Sequence, residues 1–228
     1  MKINNLRSFI YLNSKLVQDF LSQLDKGYYV EERITDSSSE RTVEQNDNSE
    51  FERLYGQLRD KGLEKSNIAT DEEWAEIEAG DIVELDLSIS VNMLNSLLSN
   101  PMIKALLLSQ QSEYDTASLD ALFGNEIAAT AKLADNPMYS FLMSLPTSHL
   151  RKPDELNGEL TVLCKVHRKL KDGEKQAALS LPSLVKAAFA KEDSMNEIKK
   201  NFADQGLDAG QLEINAPGAI LTPIAIYR

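Results

Sequence analysis

The sequence is short of the residues that carry most familiar chemistries. Among 228 residues there is one cysteine, one tryptophan and two histidines. A lone Cys164 leaves no intramolecular disulfide, so a reducing, cytoplasmic setting is expected. Cys164 and His167 have the C-x-x-H spacing that suits zinc. Three steps along a strand, however, turn two side chains to opposite faces, and no second cysteine completes a site. The same geometry works against a Cys–His nucleophilic pair, although His149 could approach from another element. No glycine-rich phosphate loop, G-x-S-x-G elbow or H-E-x-x-H helix occurs. No apolar run approaches the roughly 20 residues of a membrane helix. The N-terminal apolar run is too short for a signal peptide and is followed by no small-residue cleavage site. A soluble chain without a membrane span, disulfide, metal or bound cofactor is therefore expected.

Charge is plentiful but unevenly placed. Glu31 to Asp86 carries 18 acidic against six basic residues, which accounts for the whole formal net charge of −12. Such a stretch repels a phosphate backbone, so nucleic acid is not an expected partner of that surface. The basic cluster His167-Arg168-Lys169-Leu170-Lys171 is read as a solvated hairpin end.

The clearest local unit is Ser8 to Val30. The aromatic and branched run Phe9-Ile10-Tyr11-Leu12 suits a buried strand. Asn13 or Ser14 offers an N-cap, and Leu16, Val17, Phe20, Leu21 and Leu24 share one helix face. Gly27 supplies a stop. Glu31 to Asn48 is polar and serine-rich and reads as a mobile loop or linker. Phe51, Leu54, Tyr55 and Leu58 predict an amphipathic helix over 49–61, stopped at Gly62. Thr70 to Glu73 forms a capping box that opens a short helix through Trp74. The carboxylates Asp71, Glu72 and Glu73 are accounted for by the positive helix end.

Two alternating stretches and one apolar run predict strands. Val83, Leu85, Leu87 and Ile89 share one face of the first, with Glu84, Asp86 and Ser88 on a wet face. Leu160, Val162, Cys164 and Val166 share a face of the second, over 158–168. Asp172-Gly173 then signals a hairpin, with Gln176 to Leu181 as the returning strand. Ala219 to Tyr227 is the third, and Pro223 inside it favours an edge strand or a bulge. Val91 to Leu108 reads as two apolar helices meeting at Pro101. Tyr139 to Leu145 is a further apolar run leading to a short helix near His149, and Glu126 to Leu133 reads equally as strand or helix. Leu184 to Ala190 and Ser194 to Phe202 read as helices, and Gln211 to Asn215 as a strand.

Strand, capped helix and glycine-led strand recur faintly in both halves, which suggests two related lobes. The expected fold is α+β, an antiparallel sheet with helices on one side. The expected division is an N-terminal lobe over 1–135, with an acidic insertion at about 31–79, and a C-terminal lobe over 136–228. One compact domain is the alternative. The first strand is expected beside the C-terminal one.

FIYLNSKLVQDFLSQL near the start, EEWAEIEAGDIVELDLSI in the middle and PIAIYR at the end together resemble a bacterial family described only as a domain of unknown function. The resemblance implies a bacterial cytosolic protein and carries over no catalytic residue. The leading expectation is a non-enzymatic binding or regulatory protein with a protein partner. Its working surface would be the acidic stretch and the Leu94 to Leu107 region. Two alternatives stand beside it. One is a small-ligand or nucleotide sensor in bacterial stress or phage defence. The other is an enzyme using carboxylates among Asp71, Glu72, Glu73, Glu84 and Asp86, with or without a metal.

Overall fold

In a computed structural model the described residues are 7–24, 40–63, 71–91, 126–177 and 213–228. They form eight strands, three α-helices and two short 3-10 turns. In chain order these are β1 (Phe9–Leu12), α1 (Ser14–Leu24), α2 (Glu40–Asp60), α3 (Asp71–Glu76), β2 (Ile82–Val91), β3 (Glu126–Leu133), β4 (Ser140–Pro146), β5 (Gly158–Lys169), β6 (Lys175–Ala177), β7 (Glu213–Asn215) and β8 (Gly218–Tyr227).

Five strands close a barrel in the order β8-β4-β3-β2-β5 and back to β8, with β1 added to β8. The expected antiparallel pairing holds at every contact of this sheet but one. β4 and β8 run parallel, from Ser140 beside Gly218 to Met143 beside Leu221. The reason lies in the return path. β5 ends where β4 begins, and the Leu170 amide donates to the Gly218 carbonyl at 2.8 Å. β8 therefore starts at the same end as β4 and travels the same way.

The two-lobe expectation gives way to this interleaving. β2 pairs with β5 over eight residues, from Ile82–Lys165 to Ile89–Gly158, so strands from both halves of the sequence build one barrel. Among the described residues there is no second lobe. β6 and β7 form a separate two-stranded ribbon, tied to the start of β4 where Ser140 Oγ donates to the Asn215 carbonyl at 2.6 Å. β6 was expected to return along β5, but both edges of β5 are already taken, by β2 and by β8. The Asp172-Gly173 turn does form, with Gly173 at φ 74°. Its outgoing strand is instead captured by β7.

Alternation fills the barrel as the period-two pattern predicts. Val83, Leu85, Leu87, Ile89, Ala129, Ala131, Phe141, Met143, Leu160, Val162 and Cys164 belong to one buried core. A second core lies outside the barrel wall. Phe9, Leu12, Leu163, Ile224, Ala225 and Tyr227 meet Val17 and Leu21 of α1 and Phe51, Leu54 and Leu58 of α2 there. β1 is placed beside β8 as expected, with Leu12 opposite Ala225.

β8 changes partner along one edge, from β4 up to Leu221 to β1 from Ala225. Pro223 falls in that gap, where its missing amide hydrogen is not called on, and a register shift opposite Leu163 and Cys164 takes up the irregularity. The bulge expected at this proline is thus present, in a strand with partners on both sides.

Asn13 caps α1, accepting from the Leu16 amide at 3.1 Å. Gly62 ends α2 in the left-handed region at φ 95°, and Leu63 N donates to Leu58 O at 2.9 Å. α2 begins at Glu40, so residues 40–48, expected as loop, are helical. The propagating turns continue from the apolar face at Phe51, Leu54 and Leu58, and Arg151 holds Asn48 at 2.6 Å and Asp47 at 3.2 Å. Val91, expected to open a helix, is instead the last residue of β2. Thr70, Gly27, the rest of the helices expected over 91–108, those over 184–190 and 194–202, and the rest of the polar stretch before Glu40 lie outside the described residues. Glu126–Leu133 is strand, and the short helix near His149 is the 3-10 turn Thr147–His149.

Candidate functional site

Two groups of polar side chains among the described residues involve the carboxylates singled out in the sequence, one on the barrel wall and one at its end. On the wall, Glu84 was expected on a wet face but is only 7% exposed. The alternation of β2 is correct, since Glu84 points out of the barrel. The outside is dry there because α2 packs over it. Glu84 bonds with the Tyr55 hydroxyl of α2. Arg7 stacks over the Tyr55 ring, 4.0 Å from its centroid, and reaches both Glu52 oxygens at 2.6 and 2.7 Å. Its guanidinium also lies 5.1 Å from the ring centroid of Tyr227. Burial first, then the bond with Glu84, raises the Tyr55 hydroxyl above its ordinary range. Burial and the Glu84 charge push Tyr227 well above the usual phenol range. The result ties β2, β8, α2 and Arg7, two residues before β1, into one polar–aromatic cluster.

Asp86, two residues on, shares the outward face but has a different task. Its Oδ1 accepts from Thr161 Oγ1 of β5 at 2.8 Å. Glu84 and Asp86 thus stand on one strand face, as expected, with Tyr55 bonded to the first and Thr161 to the second.

The second place is the barrel end where β2 and β4 begin and β5 finishes. α3 lies across it, with Trp74 and Ile77 packed on the barrel core. Asp71 Oδ1 accepts from the Tyr139 hydroxyl at 2.6 Å, and this bond, followed by burial, raises Tyr139 to about 12. The Trp74 ring is 5.2 Å from Tyr139 and 6.0 Å from Phe141, centroid to centroid. Lys169 Nζ donates to the carbonyls of Trp74 at 2.5 Å and Ile77 at 2.8 Å, closing the helix end. Burial lowers the Lys169 ammonium from its ordinary value. Lys169 belongs to the basic cluster expected as a solvated turn. It is half-buried, whereas Lys171 is exposed.

The outer side of this end is acidic. Asp71, Glu72, Glu73, Glu76, Glu78 and Asp81 are all exposed, and no basic residue stands between the first and the last. The structure therefore keeps Glu72 and Glu73 at the surface, uses Asp71 to hold Tyr139, and sets Glu84 and Asp86 on the barrel wall.

Cys164 is fully buried and points inward, its thiol 3.8 Å from the Val83 carbonyl, while His167 is exposed. The opposite-face geometry expected for the pair is realised, and burial drives the thiol far above its ordinary range. His149 meets Tyr11 edge to face at 5.9 Å, and burial lowers its pKa. Among the described residues no three His, Cys, Asp or Glu side chains converge as a metal site. No described helix is long and apolar enough to cross a membrane.

Arg7, Tyr139 and Tyr227 are absent from the sequence-based candidates. Their partners lie 45 or more residues away in sequence in the two bonds that define them, Arg7–Glu52 and Tyr139–Asp71. No local spacing signals such pairs. The Leu94 to Leu107 part of the expected surface lies outside the described residues.

A family described as a domain of unknown function (DUF6414) matches residues 35–227, a span that takes in both clusters except Arg7. No curated protein and no solved structure matches the chain.

Proposed function

This chain belongs to the DUF6414 family, and we propose that it acts as a non-enzymatic binding or regulatory protein through a basic protein partner. One observation carries the reading. The segment Asp71 to Asp81 presents six exposed carboxylates and contains no basic residue in its sequence, on a barrel end where Tyr139 bonds Asp71 and Lys169 bonds the Trp74 carbonyl. A surface dense in one sign of charge steers and selects a partner of opposite charge. Three groups weighed for catalysis have structural surroundings instead, two on the barrel wall and one in the core. Glu84 bonds Tyr55, Asp86 bonds Thr161 and Cys164 is sealed in the core.

The test is capture from a bacterial lysate at low and high salt, with the full chain and with a Glu72→Lys/Glu73→Lys/Glu76→Lys variant. A partner held at low salt, released as screening increases and lost on charge reversal supports the reading. Equal capture by the reversed variant, or no partner at low salt, sinks it.

A further inference from the structure

α3 has six residues, less than two turns, and a helix that short is not stable by itself in water. Its attachments to the barrel are therefore what hold it, with Trp74 and Ile77 packed on the core. Asp71 accepts from Tyr139 at one end. Lys169 donates to the Trp74 and Ile77 carbonyls at the other, with its ammonium 4.5 Å from the Trp74 ring centroid. The Trp74 ring lies on Tyr139 and Phe141.

Continuous backbone pairing with the barrel begins only after the helix. Gly80 N donates to Val166 O at 2.7 Å, and Val166 N returns a bond to Asp81 O at 2.8 Å. Gly80 itself sits at φ 103°, a conformation that glycine adopts without strain. Glu76 lies three and four residues beyond Glu73 and Glu72, so these like charges repel and offset part of what the first-turn acids contribute at the positive helix end. Beneath it, the strands are paired into a closed barrel that does not need α3 for any of its ladders.

We infer that α3 is a lid on the barrel end, swinging out about Gly80 while the barrel stays closed, with Lys169 as its latch. Opening uncovers an aromatic floor made by Tyr139 and Phe141. The inference goes beyond the partner-binding reading and does not rest on it, because it holds with or without a partner.

Hydrogen–deuterium exchange of the full chain, read peptide by peptide, tests it. In the unmodified protein, residues 71–81 are expected to exchange well ahead of β5 and β8, through local opening. Lys169→Met keeps the aliphatic stem and removes the donors. It is expected to speed exchange in 71–81 about tenfold and leave β5 and β8 unchanged. Tyr139→Phe, which keeps the ring and removes the other tether, should act in the same direction. Exchange of 71–81 in step with β5 in the unmodified protein overturns the lid. So does an equal acceleration of α3 and the barrel strands in both variants. Should Lys169→Met fail to fold, Tyr139→Phe and the unmodified protein decide the matter by the same comparison.

Discussion

Gly218 lies so close under the Ser140 carbonyl oxygen that a Cβ at that position would collide with backbone. This is the point where the one parallel pair of the barrel starts, and the Ser140 amide donates to Pro217 O at 3.1 Å beside it. Gly218→Ala should therefore destabilise the protein by about 1–3 kcal/mol, the usual cost of overpacking a tight site. Urea unfolding followed by circular dichroism measures it. An unchanged midpoint would show that β4 and β8 can part without penalty.

Phe51 is fully buried where α2 meets the barrel, 4.9 Å from Phe9 and 5.8 Å from Tyr227 between ring centroids. Phe51→Ala should cost about 3–5 kcal/mol, because the rigid strands beneath cannot collapse into the space. Calorimetry would read this as a lower melting temperature. A loss below about 1 kcal/mol would mean that α2 is only loosely seated.

Alkaline pH should unfold the protein through its tyrosines. Tyr139 and Tyr11 are both raised to about 12, the first by its bond to Asp71 and then burial, the second chiefly by burial. A phenol whose folded pKa is raised favours the native state fully below its ordinary value of 10.0. That contribution is lost as pH rises through the folded value. Stability should be flat below about pH 9 and fall between pH 10 and 12. Ultraviolet titration of tyrosine at the same pH values would show the linkage. Normal early titration of every tyrosine, with the fold intact, would refute it.

Cys164 should be inert in the native protein. It is fully buried, and its thiol is held protonated by burial. A thiol-specific chromogenic reagent should label it only at the rate of global unfolding, accelerating with added urea. Rapid labelling without denaturant would contradict the packing around Val83 and Val162.

The strands were legible because their chemistry is local. Val83 to Ile89 and Leu160 to Val166 alternate, and a barrel wall and an open sheet impose the same period on a sequence. Closure was not legible. Whether β8 lies parallel to β4 depends on where the chain re-enters after β5, which no window of residues records. Glu84 shows a second limit. Its position in the alternation marks it as outward-facing, but only the arrival of α2 at Tyr55 makes that outside dry. The first turns of α2, with no apolar stripe, look like loop and are helical through their continuation from Phe51. The site at α3 was half-read. The acids at 71–73 stand out in the sequence, whereas Tyr139 and Lys169, which fix them in place, come from strand ends 68 and 95 residues away in the bonds they make.

β8 is bonded to β1, β4 and β5 together, and its residues are numbered 218–227. During synthesis the barrel therefore cannot close until that segment has left the ribosome. Until then β4 and β5 each carry an edge with unpaired backbone groups, and β1 has no strand to join. A nascent chain waiting at this stage exposes sticky strands. Its yield in a cell is thus tied to how quickly the last strand is delivered and how well the waiting edges are shielded. A stop codon introduced before residue 218 should send the product to aggregates or proteases rather than to a smaller folded form.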